Sequence, residues 1–171
     1  MKKYDIENSD RETKVTPYFY RPGQSELRWM GDTSSHFLAT GKQTGGAFSL
    51  VDERAKRGDS VPLHMHKDDM ESFYVIEGEI TIYIGDQPGE RALPGAFAHI
   101  PGGIPHGFRV ESDTARYLLL TTPRHGEFYR AITLSSLPGG LRPNETIDGS
   151  KIKQACMEYG IEFIGPLPDV S

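Results

Sequence analysis

Residues 58–78 read GDSVPLHMHKDDMESFYVIEG, with two histidines two positions apart and a glutamate five positions after the second. Side chains at positions i and i+2 of a β-strand point to the same face, so His64 and His66 can direct both imidazoles to one point. Glu71 opens the next apolar run, and its carboxylate can join them after one short turn. The stretch therefore predicts three ligands of one metal site.

A second stretch, residues 95–106, reads GAFAHIPGGIPH and ends at His106. This histidine begins another predicted strand, and its imidazole can close the site from across a barrel. Pro101 comes just before a strand, where a missing N–H costs little. The glycines of both stretches fall at predicted strand ends, where tight turns favour positive φ; they are Gly58, Gly78, Gly95 and Gly103.

Three imidazoles and one carboxylate are ligands of intermediate softness. They suit zinc, iron, nickel, cobalt or manganese, and four protein ligands leave coordination positions open for water, substrate or dioxygen. The predicted cofactor is therefore one divalent transition-metal ion (Ni, Fe, Mn, Co or Zn). The ligand set alone does not choose among these metals.

Short segments rich in β-branched and aromatic residues surround the two stretches and alternate with glycine and proline turns, a pattern typical of an all-β sandwich, jelly roll or barrel. The predicted strands are His36–Thr40, Ala47–Asp52, Val61–Met65, Glu71–Ile76, Glu79–Ile84, Ala96–Ile100, His106–Val110, Ala115–Thr121 and Phe128–Leu134.

One helix is predicted near the C-terminus, over residues 150–159, with Ser150 as N-cap and Gly160 after its last turn. The chain of 171 residues suits one domain. We expect an N-terminal arm over residues 1–35 that packs on the barrel, the barrel itself over residues 36–134, and a C-terminal loop and helix of the same domain over residues 135–171.

Composition argues against several classes of protein. The net charge is −5 and no run of five basic residues occurs, which argues against nucleic-acid binding. The apolar runs are far shorter than the roughly 20 residues that a membrane helix needs. No apolar stretch follows the basic residues at the N-terminus, so no signal peptide is predicted. With Cys156 as the only cysteine, no internal disulfide can form, and we expect a cytoplasmic protein.

The two stretches resemble the two sequence motifs of the cupin family. Residues 58–78 are similar to the first motif and residues 95–106 to the second, and every ligand position is filled. Val110 departs from the family, which often has asparagine there, but that position is not a ligand. The resemblance implies a double-stranded β-helix, a jelly-roll barrel, whose ligands point inward.

Three further features resemble single-domain, quercetinase-like cupins: the Pro17-Tyr18-Phe19 segment, the Phe73-Tyr74 pair and the tail over residues 158–163. Enzymes of that group open a flavonol ring with dioxygen and release carbon monoxide. The resemblance implies that the three histidines are ligands and that Glu71 is both ligand and catalytic base. It also implies a homodimer, which would cover the exposed edges of the barrel.

Strand alternation predicts the character of the substrate pocket. Phe73 falls on the same side as Glu71, Phe108 falls on the same side as His106, and Phe97 is expected to line the same space. A mostly apolar cavity suits a flat aromatic substrate. The alternative, that these phenylalanines are simply core, stays open at this point.

The leading hypothesis is a metal-dependent oxidoreductase, a dioxygenase that acts on a flavonol or another enolisable aromatic compound. The ligand set equally allows an oxygen-independent lyase, isomerase or cyclase, and a non-catalytic binder of small molecules remains a third possibility. The other histidines, His36, His99 and His125, have no partner at ligand spacing and are expected to be structural, although His99 is a candidate to support a ligand. Residues 67–69 are expected to form a solvated, charged turn.

Overall fold

The structure, a computed structural model, describes residues 15–168. Strands dominate this part of the chain, with two α-helices and one short 3-10 helix (Pro138–Gly140) near its end. The strands are β1 (Glu26–Met30), β2 (Thr33–Ala39), β3 (Ser49–Lys56), β4 (Ser60–His66), β5 (Glu71–Glu77), β6 (Ile80–Ile84), β7 (Glu90–Ala92), β8 (Phe97–Ile100), β9 (His106–Val110), β10 (Thr114–Thr121), β11 (Leu134–Ser135) and β12 (Ile161–Gly165). The helices are α1 (Pro123–Ala131) and α2 (Gly149–Tyr159).

The strands form two antiparallel sheets that share one buried core. The larger sheet has seven strands in the order β11-β1-β2-β3-β10-β5-β8, and the smaller has five in the order β12-β4-β9-β6-β7. Buried apolar residues from both sheets and from both helices belong to one cluster. This arrangement confirms the predicted jelly-roll fold with a C-terminal helix.

Aromatic packing fills the barrel beside the predicted metal ligands. Phe73, Phe108 and Tyr117 lie on three strands, β5, β9 and β10, and their ring centroids are 5.5, 5.6 and 5.8 Å apart. Tilted aromatic pairs at this spacing add to the stabilisation that burial of the rings provides. Because Phe73 is two residues from Glu71, this cluster also fixes the start of β5.

The ends of the chain differ from the sequence prediction. Residues 26–35, predicted as part of an arm, instead form β1 and the start of β2, and residues 1–14 of that arm lie outside the described residues. Helix α2 confirms the predicted C-terminal helix, but its N-cap is Asp148, whose side chain accepts from the Ser150 amide. Gly160 ends the helix in the left-handed conformation at φ 71°, as predicted. The following residues pair with β4 as β12.

The predicted strand Phe128–Leu134 is wrong, because most of this segment belongs to helix α1. The helix begins with Thr122 as N-cap, whose side chain accepts from the His125 amide, and with Pro123 in the first turn. Phe128, Tyr129 and Ile132 are all buried, at a spacing of one and three residues that suits a helix packed against a core.

Close packing at two glycines holds α1 against the larger sheet. A Cβ atom at Gly126 would overlap the Ser49 side chain of β3, and one at Gly41 would lie 2.5 Å from Cβ of Pro123. The absence of a side chain at Gly126 lets the helix approach β3 closely, and its absence at Gly41 lets the turn after β2 approach the start of the helix. Neither helix in the described part of the chain is long and apolar enough to cross a membrane.

Candidate metal centre

The four predicted ligands meet between the two sheets. His64 and His66 lie on β4, His106 opens β9 directly beside His64, and Glu71 opens β5 of the other sheet. All four are buried, and one potential ligand atom from each lies within 4.8 Å of the others. The i, i+2 spacing on β4 works as the sequence indicated, because both imidazoles face the interior.

Backbone carbonyl groups orient two of the imidazoles. Nδ1 of His64 donates to the Pro62 carbonyl oxygen at 2.9 Å, and Nδ1 of His106 donates to the Ile104 carbonyl oxygen at 2.8 Å. A carbonyl oxygen only accepts, so Nδ1 carries the proton in both rings, and the neutral His64 ring keeps its lone pair on Nε2. Burial by itself would lower the pKa of His106, but its contact with Glu71 raises that pKa, and Nε2 of His106 donates to Oε2 of Glu71 at 2.8 Å. Hydrogen bonds of this kind fix the tautomer and orientation of a metal-binding histidine.

His66 has no such partner. Its side chain is 1% exposed, and in the described structure neither ring nitrogen makes a hydrogen bond. Burial lowers the pKa of His66 to about 2 and that of His64 to about 4, so both rings are neutral at pH 7. A buried nitrogen with a free lone pair is costly unless it binds something, and a metal ion would satisfy it.

Glu71 is held in its charged form. Burial by itself would raise the pKa of this carboxyl group, but contacts with His106 and His125 outweigh it and hold the pKa well below the usual 4.5. His106 Nε2 lies 2.8 Å from Oε2, and His125 Nε2 lies 3.5 Å from Oε1. The ionised carboxylate is the form that both a metal ligand and a proton acceptor require.

His125 belongs to the site, although the sequence analysis assigned it a structural role. It lies in the first turn of α1, is 1% exposed, and its ring centroid is 4.0 Å from that of His66. The structural role was expected because His125 has no partner at ligand spacing in the sequence. The Thr122-Pro123 pair, an N-cap followed by a first-turn proline, was the signal that would have placed His125 at the start of a helix.

The charged turn between His66 and Glu71 is not fully solvated. Asp69 is 4% exposed, accepts from Thr122 Oγ1 at 2.5 Å and pairs with Arg124 Nη1 at 3.0 Å. The turn therefore contacts the beginning of α1. Lys67 and Asp68 are exposed, as expected for a surface turn.

A cavity of about 160 Å³ reaches the site. His64, Glu71 and His125 line one side of it, and apolar side chains supply most of the remainder; they include Met30, Val61, Phe108, Phe128, Tyr129, Ile132, Ile152, Ile161 and Phe163. Exposed residues among those that line it, Ser60, Pro62 and Phe163, mark where the cavity meets solvent.

The three phenylalanines predicted to bind substrate occupy different environments. Phe108 lines the cavity, whereas Phe73 is 1% exposed and packs in the core behind it. Phe97 is 64% exposed and faces away from the barrel, so it does not line this space. The reason is register: Phe97 pairs with Tyr74, which points to the opposite face of β5 from Glu71. His99 is also exposed and bonds Ser72 Oγ at 2.8 Å, outside the site.

The donor set and its surroundings fit one divalent transition-metal ion. His64, His66, His106 and Glu71 would hold it, and such an ion supplies Lewis-acid or redox chemistry at positions that the protein leaves open. The free nitrogens of His66 and the ionised carboxylate of Glu71 are what a metal ligand set requires.

Comparison with known proteins agrees with this fold. Residues 52–122 match the cupin domain family. The chain is 36% identical over 107 residues to quercetin 2,3-dioxygenase of Bacillus subtilis, an alignment that spans 61% of this chain and 31% of that protein. The aligned region therefore covers about a third of that relative's length.

Two solved structures illustrate the shared fold. An RmlC-like cupin from Shewanella frigidimarina superposes with a TM-score of 0.57 at 18% identity, over 66% of this chain and 96% of that one. Oxalate decarboxylase of Bacillus subtilis, whose structure is described with Mn(II) centres, gives a TM-score of 0.52 at 23% identity, over 65% and 30% of the two chains.

The chain thus contains a cupin domain over residues 52–122. Its sequence is similar to that of a quercetin 2,3-dioxygenase, and its buried residues form a site that fits a divalent metal ion.

Proposed function

We propose that this protein is a metal-dependent dioxygenase that acts on a small, enolisable, hydroxylated aromatic compound. One observation carries the proposal: the ionised carboxylate of Glu71 stands among three histidines on the wall of an otherwise apolar cavity. The similarity to a quercetin 2,3-dioxygenase supports the same class of reaction.

The residues of the cavity suggest a division of roles. Glu71 accepts the proton of a phenol or enol hydroxyl, because it is charged at neutral pH and faces the cavity. Phe108, Val61 and Ile161 flank the ring of the substrate and exclude water from the reacting atoms. The bound metal ion would supply the Lewis-acid and redox chemistry that lets both atoms of dioxygen enter the product.

The volume of the cavity limits how much of a substrate is enclosed. A cavity of about 160 Å³ resembles in size an engineered protein cavity of about 150 Å³ that binds benzene. One aromatic ring therefore fits beside Glu71, and the other rings of a flavonol would extend past Pro62 and Phe163 towards solvent. We expect compounds with a single hydroxylated ring, or with one ring free to insert, to be the best substrates.

Oxygen uptake tests the proposal. The protein would be loaded separately with nickel, cobalt, iron and manganese and assayed against phenols, catechols and flavonols graded by ring number. We expect uptake with at least one metal, no uptake with His66→Ala, and wild-type uptake with His99→Ala, a matched change at an exposed histidine. Glu71→Gln should lose turnover by a larger factor than it loses metal.

The outcomes distinguish the reaction classes. Turnover that continues undiminished without oxygen would replace the dioxygenase by a lyase, isomerase or cyclase at the same site. Tight binding of a compound with no product by mass spectrometry would indicate a binding protein. Full turnover by a metal-loaded Glu71→Gln variant would refute the role of base.

We also propose a homodimer, since edge strands such as β8 and β12 leave backbone groups unpaired that a second copy can cover. A monomeric mass in light scattering would contradict it. The cytoplasmic location expected from the sequence stays a prediction.

A further inference from the structure

We propose that His125 is a positioning residue for the metal centre: it donates Nε2–H to Oε1 of Glu71 and thereby holds the carboxylate so that Oε2 faces the three histidines. The inference rests on the metal site of the proposed function but not on the consumption of dioxygen. His125 Nε2 is 3.5 Å from Oε1, within ion-pair distance and just beyond the usual N–H···O range of about 2.7–3.2 Å, so the hydrogen bond requires the two groups to approach by a few tenths of an ångström.

The burial of His125 shows that its nitrogens need a partner. The side chain is 1% exposed, and both ring nitrogens lack a hydrogen bond in the described residues. Leaving such a group unpaired costs about 1–3 kcal/mol. Glu71 is the carboxylate within ion-pair distance of its Nε2, so it is the partner that the geometry offers.

The two carboxylate oxygens of Glu71 have different neighbours. Oε2 lies 2.8 Å from His106 Nε2, on the side of the predicted ligands, whereas Oε1 faces His125. A carboxylate fixed in this way would offer the metal one oxygen, whereas Oε1 has two lone pairs and can accept from His125 while it still accepts a proton from substrate. The orientation of Glu71 would then not depend on the metal alone.

The fold fixes the place of His125 from both sides. Its amide is capped by Thr122 Oγ1 at 3.2 Å, and that hydroxyl donates in turn to Asp69, in the turn between His66 and Glu71. The next residue, Gly126, packs directly on Ser49. The helix start is thus attached to the same turn that separates two metal ligands, which is the support that a positioning residue needs.

Cobalt binding tests the inference independently of turnover. The affinity of the full-length protein for Co²⁺ and the visible spectrum of the complex would be measured for wild type, His125→Phe and His125→Gln. Phenylalanine keeps the ring contacts with Phe128 and Tyr129 but has no N–H, whereas glutamine supplies a donor near the position of Nε2. His99→Phe is the matched control on the outer surface.

We expect His125→Phe to weaken Co²⁺ binding by about 10- to 100-fold and to shift the cobalt spectrum, as losses of groups behind a metal ligand do. His125→Gln should restore most of the affinity, and His99→Phe should resemble wild type. In a Glu71→Ala background the His125→Phe change should cost less than about threefold, because its partner is gone.

Other results would overturn the inference. A His125→Phe variant with the affinity and spectrum of wild type would show that the ring only packs. If His125→Phe weakened Co²⁺ binding as much in the Glu71→Ala background as in wild type, His125 would be a ligand in its own right. If His125→Phe and His125→Gln weakened Co²⁺ binding equally, a donor role would be excluded. His125→Leu serves as the second apolar variant if His125→Phe fails to fold. Oxygen uptake without this pattern would support the proposed function while refuting the role of His125.

Discussion

Asp69 accepts a hydrogen bond from the Thr122 hydroxyl at 2.5 Å, and this contact joins the turn between two metal ligands to the N-cap of helix α1. The carboxylate is 4% exposed and also pairs with Arg124. Asp69 therefore supports both the turn that separates His66 from Glu71 and the start of helix α1. A change of this residue should affect both the stability of the fold and metal binding.

Asp69→Asn tests this coupling. The substitution removes a buried charge that accepts two hydrogen bonds, so we expect a loss of about 1–3 kcal/mol in the free energy of unfolding. It should also weaken metal binding, because both His66 and Glu71 adjoin the turn. Urea unfolding and metal titration check the two effects. Asp68→Asn, one residue away and exposed, is the matched control and should change neither; a stable Asp69→Asn protein with full metal affinity would contradict the coupling.

Gly126→Ala probes the close packing of α1. The added methyl group would overlap the Ser49 side chain, so the helix must move away from β3, at an expected cost of about 1–3 kcal/mol. Urea unfolding measures the loss, and Ser49→Gly in the same protein should recover part of it.

Gly149→Ala is the control for this change. A Cβ atom there would meet nothing within 4 Å, and Gly149 is the first residue of α2. Alanine is a better helix former than glycine, so this variant should be as stable as wild type or more stable. Equal losses at the two glycines would show that packing against Ser49 is not the cause.

His64 and His66 could be predicted to share a site because their geometry is local, whereas Glu71 and His106, on other strands, were assigned by their positions in the two motifs that resemble those of cupins. The i, i+2 spacing of His64 and His66 fixes a common face whatever the rest of the fold does. His125 could not be predicted in this way. Its place depends on contacts between residues far apart in the chain, such as Gly126 with Ser49 and Asp69 with Thr122, which no periodicity displays.

The direction of a side chain on a strand was predictable only where a ligand fixed the parity. Phe108 shares the parity of His106 and does line the cavity. The predicted strand of Phe97 carries no ligand that would show which of its sides faces inward. In the structure, Phe97 of β8 pairs with Tyr74 of β5, so its side chain points outward. Because a shift of one residue in register exchanges the two faces of a strand, the side that Phe97 faces depends on how β8 pairs with β5, which the sequence of β8 alone does not display.

Removal of the metal should lower thermal stability. A ligand that binds only the native state at 100 times its Kd adds about 2.7 kcal/mol, which corresponds to a rise in Tm of about 5–10 °C for a chain of this size. We expect the chelator-treated protein to melt lower than the metal-loaded one and His66→Ala to show no difference between the two. His99→Ala should behave like wild type. An equal gain in Tm for His66→Ala would place the stabilising metal elsewhere.

Glu53 should make the protein less stable as the pH rises. It is 3% exposed, and its neighbours in register are Ser35 on β2 and Tyr117 on β10, inside the larger sheet. Burial raises the pKa of Glu53 to about 7, although a hydrogen bond from Ser35 Oγ at 2.7 Å opposes the rise.

The direction of this pH dependence follows from the number of protons that the folded and unfolded states bind. Between the usual pKa of 4.5 and about 7, the folded protein keeps a proton that the unfolded chain has lost, so the free energy of unfolding falls as pH rises. The full loss is about 3 kcal/mol and is complete above pH 7. Glu53→Gln keeps a neutral side chain at every pH. Urea unfolding should therefore show that the free energy of unfolding of Glu53→Gln, relative to that of wild type, rises by about 2–3 kcal/mol from pH 5 to pH 8. The exposed control Glu90→Gln should show no such rise. An unchanged difference between Glu53→Gln and wild type at the two pH values would mean that Glu53 is already ionised in the folded protein at pH 5.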